Sequence, residues 1–274
     1  MTPETKQKYF RALTIAGSDC SGGAGIQADL KTYSALGCYG MSVITVLTAQ
    51  NTQGVQAIQE LPPQFIIQQI QSILDDVGVD AVKVGMLFNS SIIKEVARAL
   101  RENPVKNLVV DPVMFAKSGD RLLQEDAIDS YHQELLPLAS VLTPNIAEAS
   151  ALLHREINNR EDMEQAAKDL CDLGPQAVVV KGGNLLKESS DDCLFIKGED
   201  VHWLPQERIA TENVHGTGCT FSAAIAAFLA RSFPLEQAVP EAKQYLTEAL
   251  TAGAGYQLGQ GKGPVLHFYQ TWKP

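Results

Sequence analysis

The chain has 274 residues, of which 45% are hydrophobic and 20% charged, as is typical of a soluble globular protein. Its formal net charge of −10 argues against nucleic-acid binding, which requires a basic face. The same charge means that a phosphate ligand must be held locally, by backbone dipoles, a metal ion and a few lysines.

Short apolar runs alternate with helical patterns, and this βαβα order predicts an α/β fold: a mostly parallel sheet with helices on both faces. We expect a polar tail over residues 1–11 and a single domain over residues 12–274. Strands rich in Val, Ile and Leu are predicted at Leu13–Ala16, Ser42–Thr48, Ala81–Val84, Leu108–Asp111, Val141–Thr143 and Ala177–Val180. Helices are predicted between them at Gly25–Ala35, Pro63–Val77, Ser90–Arg101, Asp126–Leu136, Ile146–Leu153 and Asp162–Leu173.

The pattern changes after the last of these strands. Cys193–Lys197 and Val201–Leu204 flank a turn at Gly198–Asp200, which predicts an antiparallel hairpin at the sheet edge. A helix that begins near Thr217 and a last helix over Leu235–Leu258 complete the predicted domain.

The five cysteines and the N-terminus indicate where such a chain is expected to work. The cysteines are odd in number and include no CxxC pair, so neither a metal site of that type nor a disulfide framework is expected. The first ten residues lack the apolar core of a signal peptide, and no apolar run is long enough to span a membrane. The cytoplasm is therefore the expected location.

Polar clusters directly follow several predicted strands. In open α/β sheets, ligands bind beyond the carboxyl ends of the strands. The clusters are Gly17-Ser-Asp19, Gln50-Asn51, Gly85-Met86, Asp111-Pro112 and Thr143-Pro-Asn145.

The glycine-rich loop Gly17–Gly25 follows the first strand. Within it, Gly23–Ala28 formally fits the dinucleotide pattern GxGxxA, but the loop is long and no acidic residue closes the next strand to bind ribose. No GxxxxGK[ST] motif is present, which argues against a P-loop kinase. The loop instead suits close backbone approach to a small ligand faced by Asp29, although Asp29 alone would be interpreted first as a solvated helix residue.

The segment His215-Gly-Thr-Gly-Cys-Thr220 stands before a strong helix former. Its glycines can turn the unpaired N–H groups of the helix start toward an anion, most naturally a phosphate. A helix start capped by the Thr217 side chain is the equal alternative. The thiol of Cys219 adds a candidate reactive group.

Eight motifs in register resemble one family over residues 13–264. They are Gly17–Lys31, Thr48–Asn51, Lys83–Met86, Asp111–Met114, Lys117–Gly119, Thr143–Glu148, Lys181–Gly183 and His215–Thr220. The chain resembles the hydroxymethylpyrimidine/phosphomethylpyrimidine kinases of thiamine biosynthesis, within the ribokinase-like superfamily. The resemblance implies a three-layer α/β/α fold and ATP-dependent phosphorylation of a pyrimidine hydroxymethyl group and then of the monophosphate.

The resemblance also implies the residues of the pyrimidine site, which are Gly17, Asp29, Gln50, Met86 and Val113. Gln50 carries a donor and an acceptor together, which suits the edge of an aminopyrimidine. Without the resemblance, Gln50 would be interpreted as a strand-end cap, and Met86 and Val113 as ordinary core residues.

The nucleotide side is predicted from residues that are spaced for a helix start. Asn145 and Glu148 share one helix face and suit water-mediated Mg²⁺, although the same pair also resembles a capping box. The resemblance favours a metal and phosphate role and adds Asp111, Thr143 and Lys181 to this half. Lys117 is predicted to lie in a mobile cover that brings positive charge over the transferred phosphoryl group.

Phosphoryl transfer needs positioning and charge stabilisation more than covalent chemistry. The backbone N–H groups of Gly216, Thr217, Gly218 and Cys219 are the expected anion hole, with Mg²⁺ and Lys117 neutralising the remaining charge. Cys219 stands where sugar kinases of the superfamily place an aspartate base. A helix start can lower a thiol pKa, so Cys219 is either a thiolate base or a group that only positions the alcohol.

Two alternatives remain from the residues. A pyridoxal or pyridoxine kinase shares the fold and a similar HGTGC segment, but residues 111–117 lack the cysteine that some of those enzymes carry in the cover. A catalytically silent ligand-binding module would keep the fold without these reactive residues. Cys20 departs from the proline common in the family's glycine loop, which leaves loop rigidity and ring selectivity open. By resemblance only, a homodimer is expected.

Overall fold

The computed structural model describes residues 7–115, 122–124, 127–183, 185 and 189–272. Nine strands form one mixed sheet in the order β3-β2-β1-β4-β5-β6-β7-β8-β9. Their bounds are β1 Arg11–Asp19, β2 Tyr39–Asn51, β3 Gly54–Glu60, β4 Ala81–Val84, β5 Leu108–Val110, β6 Val141–Leu142, β7 Ala177–Lys181, β8 Asp192–Ile196 and β9 His202–Leu204. β1 begins at Arg11, the last residue of the predicted tail.

The described helices are eight in number. Their bounds are α1 Gly25–Ala35, α2 Pro63–Leu74, α3 Ser90–Glu102, α4 Ile128–Ser130, α5 Ile146–Leu153, α6 Arg160–Asp172, α7 Thr217–Ala230 and α8 Leu235–Gly253. A π-helical turn and a 3₁₀ turn follow α4, over Tyr131–Leu135 and Leu136–Leu138. None of the described helices has the length and apolar composition needed to cross a membrane.

In the order of the sheet, the neighbouring strands β2, β1, β4, β5, β6 and β7 are parallel, and the sheet is antiparallel only at its edges. β3 pairs antiparallel with β2, and β8 and β9 pair antiparallel at the opposite edge. The edge hairpin expected after β7 is therefore confirmed. β3 was not predicted, because none of its residues is buried and its Gln-rich sequence lacks the apolar runs of the central strands.

Each central strand contributes to a hydrophobic core on both faces of the sheet. Val82 and Val84 pack in the core with α2, α3, α5 and α6, whereas Ala81 packs in the core with α7 and α8. This alternation places helices on both sides and confirms the three-layer α/β/α fold.

Two predicted helices differ from the structure. The segment expected to be a helix over Asp126–Leu136 is helical within the described residues, but it is not one regular α-helix: α4, a π-helical turn and a 3₁₀ turn follow one another up to Leu138. The last helix ends at Gly253 rather than at Leu258, where two glycines within three residues weaken a helix.

Candidate active site

A cavity of about 670 Å³ opens at the carboxyl ends of the parallel strands, where the topology predicted a ligand site. The loops after β1, β4 and β5 line it together with the start of α7. Twelve of the predicted site residues line it: Gly17, Gln50, Met86, Asp111, Val113, Asn145, Glu148, Lys181, Gly216, Thr217, Gly218 and Cys219. Lys117 lies outside the described residues. Asp29 and Thr143 are both fully buried and do not reach the cavity surface.

The start of α7 faces this cavity without a side-chain cap. The N-cap is Gly216, with φ of 78°, and no side chain bonds to the first amides of the helix in the described structure. Thr217 is thus the first helical residue and does not supply the alternative threonine cap. In any residue other than glycine at position 216, the Cβ atom would lie 1.9 Å from the carbonyl oxygen of Gly23, which is too close. Apart from the Thr217 amide, which donates to the Val214 carbonyl at 3.4 Å, the uncapped N–H groups at the start of α7 are therefore available to an anion.

Cys219 lies in the first turn of α7 and is only partly exposed. Burial raises the pKa of its thiol to about 11, although the Lys83 charge and a hydrogen bond with the Gly25 backbone oppose the rise. Of the two alternatives for Cys219, the raised pKa favours the positioning thiol over the thiolate base in the unliganded protein, because desolvation outweighs the helix start. The neutral thiol keeps its S–H donor.

Asp29 lies beneath the cavity floor instead of facing a ligand directly, which corrects its expected position. Its Oδ2 atom accepts from the Thr14 hydroxyl at 2.6 Å and from the Lys83 ammonium at 2.8 Å. Its Oδ1 atom is buried with no hydrogen-bond partner in the described structure. An acceptor of this kind is costly to leave unpaired, so a ligand donor or a water that reaches it would be bound favourably.

Gln50, Met86 and Val113 form the opposite wall. Met86 and Val113 belong to one small hydrophobic cluster, so this part of the wall is apolar. The Gln50 amide oxygen accepts from the Thr48 hydroxyl at 3.1 Å. The Cys20 thiol donates to the Gln50 backbone carbonyl at 3.2 Å, so this departure from the family pattern supports the strand end that carries Gln50.

Lys181 and Asp111 make a buried ion pair at the ends of β7 and β5. The Lys181 ammonium lies 2.9 Å from Asp111 Oδ1, while the Ser222 hydroxyl of α7 donates to Asp111 Oδ2 at 3.0 Å. Burial alone would raise the pKa of Asp111, but the charges of Lys181 and Lys83 outweigh it and lower the pKa. Thr143 contacts the same carboxylate at 3.4 Å from below. Asp111 therefore fixes the ends of two strands against α7.

Asn145 and Glu148 form the capping box that their spacing suggested. The Asn145 side chain accepts from the Glu148 amide at 3.0 Å, and the Glu148 carboxylate accepts from the Asn145 amide at 2.8 Å. Burial raises the pKa of Glu148 to about 7, with the Asp111 charge adding to the rise and Lys181 opposing it. The described residues contain no cluster of three or more His, Cys, Asp or Glu that could hold a metal by themselves.

Three further residues line the cavity: Asp19, Lys83 and His215. In the sequence they stood out only as members of the motifs. Lys83 pairs with Asp29, and Asp19 pairs with His215 at 2.8 Å. The signal for Lys83 was a charged side chain in the otherwise apolar strand Ala81–Val84. A buried cation in such a strand requires a buried partner.

Similarity to known proteins identifies the family. A family model described as phosphomethylpyrimidine kinase matches residues 19–266. The chain belongs to the phosphomethylpyrimidine kinase family. A hydroxymethylpyrimidine/phosphomethylpyrimidine kinase of Rhizobium meliloti (strain 1021) is 51% identical over 263 residues, which cover 96% of this chain and 98% of that protein.

Two solved structures are similar to this member of the phosphomethylpyrimidine kinase family. An ADP complex of Bacillus subtilis pyridoxal kinase has a TM-score of 0.89 and 40% identity, and covers 97% of this chain and 100% of that chain. The phosphomethylpyrimidine kinase of Clostridium difficile 630 has a TM-score of 0.77 and 44% identity, and covers 88% of this chain and 99% of that chain. The resemblance inferred from eight motifs is confirmed, and the chain is a phosphotransferase.

Proposed function

We propose that the protein phosphorylates 4-amino-5-hydroxymethyl-2-methylpyrimidine with ATP and then phosphorylates the monophosphate to the diphosphate, in thiamine biosynthesis. The observation that carries this proposal is the uncapped start of α7, with Cys219 in its first turn, in the same cavity as Gln50 and Met86. An anion-binding helix start and an amide beside an apolar wall suit phosphoryl transfer to a hydroxyl on a small aromatic ring. The name of the Rhizobium relative supports the substrate.

The acceptor ring would lie between Gly17 and the wall of Met86 and Val113. The Gln50 amide would pair with the aminopyrimidine edge, because it offers a donor and an acceptor together. Asp29 would contribute the acceptor of its unpaired Oδ1 atom from beneath the floor, through a water molecule. This arrangement turns the hydroxymethyl group toward the start of α7.

At the start of α7, the backbone N–H groups of Gly216–Cys219 would hold the γ-phosphoryl oxygens. The substrate oxygen bonds to the γ-phosphorus as the bond to the leaving ADP oxygen breaks, and a loose transition state needs little help from a base until late. The neutral Cys219 thiol then holds the hydroxyl in line, and the proton leaves to solvent or to a phosphoryl oxygen. Lys181 supplies a fixed positive charge near the transferred group.

Magnesium fits the acidic residues at this end of the cavity. The Glu148 carboxylate accepts hydrogen bonds from the backbone amides of Asn145 and Met114, so its contact with the ion would run mainly through water. The Asp111 charge raises the pKa of Glu148, and a divalent cation beside the two carboxylates would relieve that repulsion. Asp111 and Glu148 would therefore hold Mg²⁺ with the nucleotide phosphates, and the ion would neutralise the phosphate charge. Lys117 is proposed to add charge from the cover.

Pyridoxal kinase activity is the second candidate, because the pyridoxal kinase of Bacillus subtilis is similar over nearly the whole chain. Both candidate substrates are small aromatic rings that carry a hydroxymethyl group. The test is kcat/KM for hydroxymethylpyrimidine, its monophosphate and pyridoxal, with ATP and Mg²⁺. We expect the two pyrimidines to be preferred, and a strong preference for pyridoxal would overturn the proposal. Chelation of Mg²⁺ should abolish turnover, and added Mg²⁺ should restore it.

We further propose, on resemblance, that the enzyme is a cytoplasmic homodimer. The molar mass in solution by light scattering tests the dimer, with a chain mass of 29.7 kDa as the monomer reference. Fractionation of the source cells tests the location.

A further inference from the structure

Asp19 and His215 contact each other across the cavity although 196 positions separate them in the chain. His215 Nε2 lies 2.8 Å from Asp19 Oδ2, and both side chains are buried. Asp19 ends β1 and begins the glycine-rich loop, whereas His215 directly precedes the N-cap of α7. The contact therefore joins the loop of the proposed pyrimidine site to the turn of the proposed anion site.

The Asp19 carboxylate also organises its own loop. Oδ1 accepts from the amide and the hydroxyl of Ser21, at 2.9 and 2.7 Å, and Oδ2 accepts from the amides of Gly23 and Ala24, at 3.1 and 2.9 Å. Burial opposes ionisation, but the hydrogen bonds from His215, Ser21 and Ala24 outweigh it and lower the pKa of Asp19 to about 2. An ionised carboxylate only accepts hydrogen bonds, so Nε2 of His215 carries the proton in this contact.

Three further groups lie close to His215. Its backbone amide donates to the Gly263 carbonyl at 2.9 Å, and its Nε2 atom lies 3.5 Å from the Gln50 amide nitrogen. The imidazole lies so close to Gly23 that a Cβ there would be 2.3 Å from its Cδ2 atom. The ring thus touches the loop, the proposed ring-binding amide and the turn before α7 together.

Building on the proposed function, we propose that Asp19 and His215 are positioning residues that set the distance between the acceptor hydroxyl and the transferred phosphoryl group. Neither residue needs to take part in bond making. Because each substrate is held mainly by one half of the cavity, the pair affects how the two halves are aligned rather than how tightly either substrate binds. A displacement of about 1 Å between reacting groups can cost roughly 10²-fold in rate.

Two substitutions of His215 test the proposal. His215→Gln keeps an N–H donor at a reach similar to Nε2, whereas His215→Met keeps the length and removes the donor. For the Met variant we expect kcat to fall about 10²-fold, with KM for both substrates changed only a few fold. A larger share of its ATP should be hydrolysed without pyrimidine phosphorylation. For the Gln variant most of the wild-type kcat should be retained.

His202→Met is the matched control. His202 is an exposed histidine at the start of β9, pairs with Glu199 and does not line the cavity. Its kcat should equal that of the wild type. Equal kcat values for the Met and Gln variants of His215 would overturn the proposal. A loss confined to KM would overturn it as well, since that result would make His215 a binding residue.

Gly23→Ala provides a second route if the Met variant does not fold. The added methyl group displaces the imidazole from Asp19 while the histidine and the Gly23 amide both remain. We expect the same fall in kcat, and a wild-type kcat would overturn the positioning role. If the wild-type enzyme turns over pyridoxal alone, the proposed substrate fails, and the His215 comparison is made with that alcohol. Turnover of neither alcohol overturns both proposals.

Discussion

The Lys83 ammonium group lies 2.8 Å from the Asp29 carboxylate, and both side chains are almost completely removed from solvent. Lys83 shares its face of β4 with Ala81, which packs against α7, and Asp29 reaches Lys83 from the first turns of the neighbouring helix α1. Burial alone would lower the pKa of Lys83, but the charges of Asp29 and Asp111 and the hydrogen bond with Asp29 together help to outweigh it, so the pKa is raised. The lysine therefore remains charged and depends on its partner for compensation.

Lys83→Met should destabilise the protein by about 3–5 kcal/mol, because it leaves the Asp29 charge buried without its counter-ion. The measurement is the free energy of unfolding in urea at pH 7. The double variant Lys83→Met/Asp29→Leu should recover part of the loss, since no charge is then buried. Arg98→Met, which removes two exposed ion pairs on α3, should leave the midpoint almost unchanged. A wild-type midpoint for Lys83→Met would contradict this account.

Cys219→Ala should lower kcat by about tenfold, the effect of one lost hydrogen bond, rather than by the roughly 10²–10⁴-fold typical of a lost general base. The reason is the thiol pKa of about 11, which leaves almost no thiolate at neutral pH. Iodoacetamide labelling at pH 8, followed by mass spectrometry, should accordingly modify the exposed Cys20 before Cys219. If turnover instead falls by about a thousandfold or more with folding intact, Cys219 is the general base after all.

His267 should make stability fall as the medium is acidified. Burial lowers its pKa to about 3, helped by the Lys31 charge, while its Nε2 atom lies 2.9 Å from the Thr220 hydroxyl. Below about pH 6.5, His267 binds a proton in the unfolded chain but not in the folded chain. Unfolding is therefore favoured by up to about 1.4 kcal/mol per pH unit. That contribution is lost progressively between pH 6.5 and 3. Urea unfolding at pH 7, 6 and 5 should show a shallower slope for His267→Gln, and the wild-type slope for the control His202→Gln.

Asn145→Ala should separate the two roles that the sequence assigned to Asn145. Loss of its cap should cost about 1 kcal/mol of stability, as should Asn159→Ala, which removes the matching cap of α6. Only Asn145 lines the cavity, so only its variant should raise the KM for ATP. Equal KM values for ATP in the two variants would show that Asn145 acts only as a helix cap.

The central strands and most helices were predictable because buried parallel strands are visible in the sequence as apolar runs. Ala81–Val84 and Gly25–Ala35 have the bounds that the sequence suggested. β3 escaped because an exposed edge strand carries little hydrophobic signal. The π and 3₁₀ turns after α4 could not be predicted, because over so few residues their spacing of apolar side chains is the same as that of an α-helix.

The gathering of the site residues could also be anticipated, since strand ends meet at one edge of a sheet. The state of each side chain could not. Asp29 looked like a ligand-facing carboxylate until Lys83 was found 54 positions away as its partner. Cys219 looked like a thiolate because sequence shows the helix start but not the burial that opposes it. Partners distant in the chain decide both cases.

The contact between Asp19 and His215 has a consequence for protein synthesis. The glycine-rich loop leaves the ribosome early, but the turn that completes the pocket is translated only after all nine strands. A chain terminated before His215 therefore lacks the start of α7, whose N–H groups would hold the transferred phosphoryl group. Turnover in a cell extract therefore measures only full-length molecules. Truncated chains do not contribute to it, even where most of their sheet has formed.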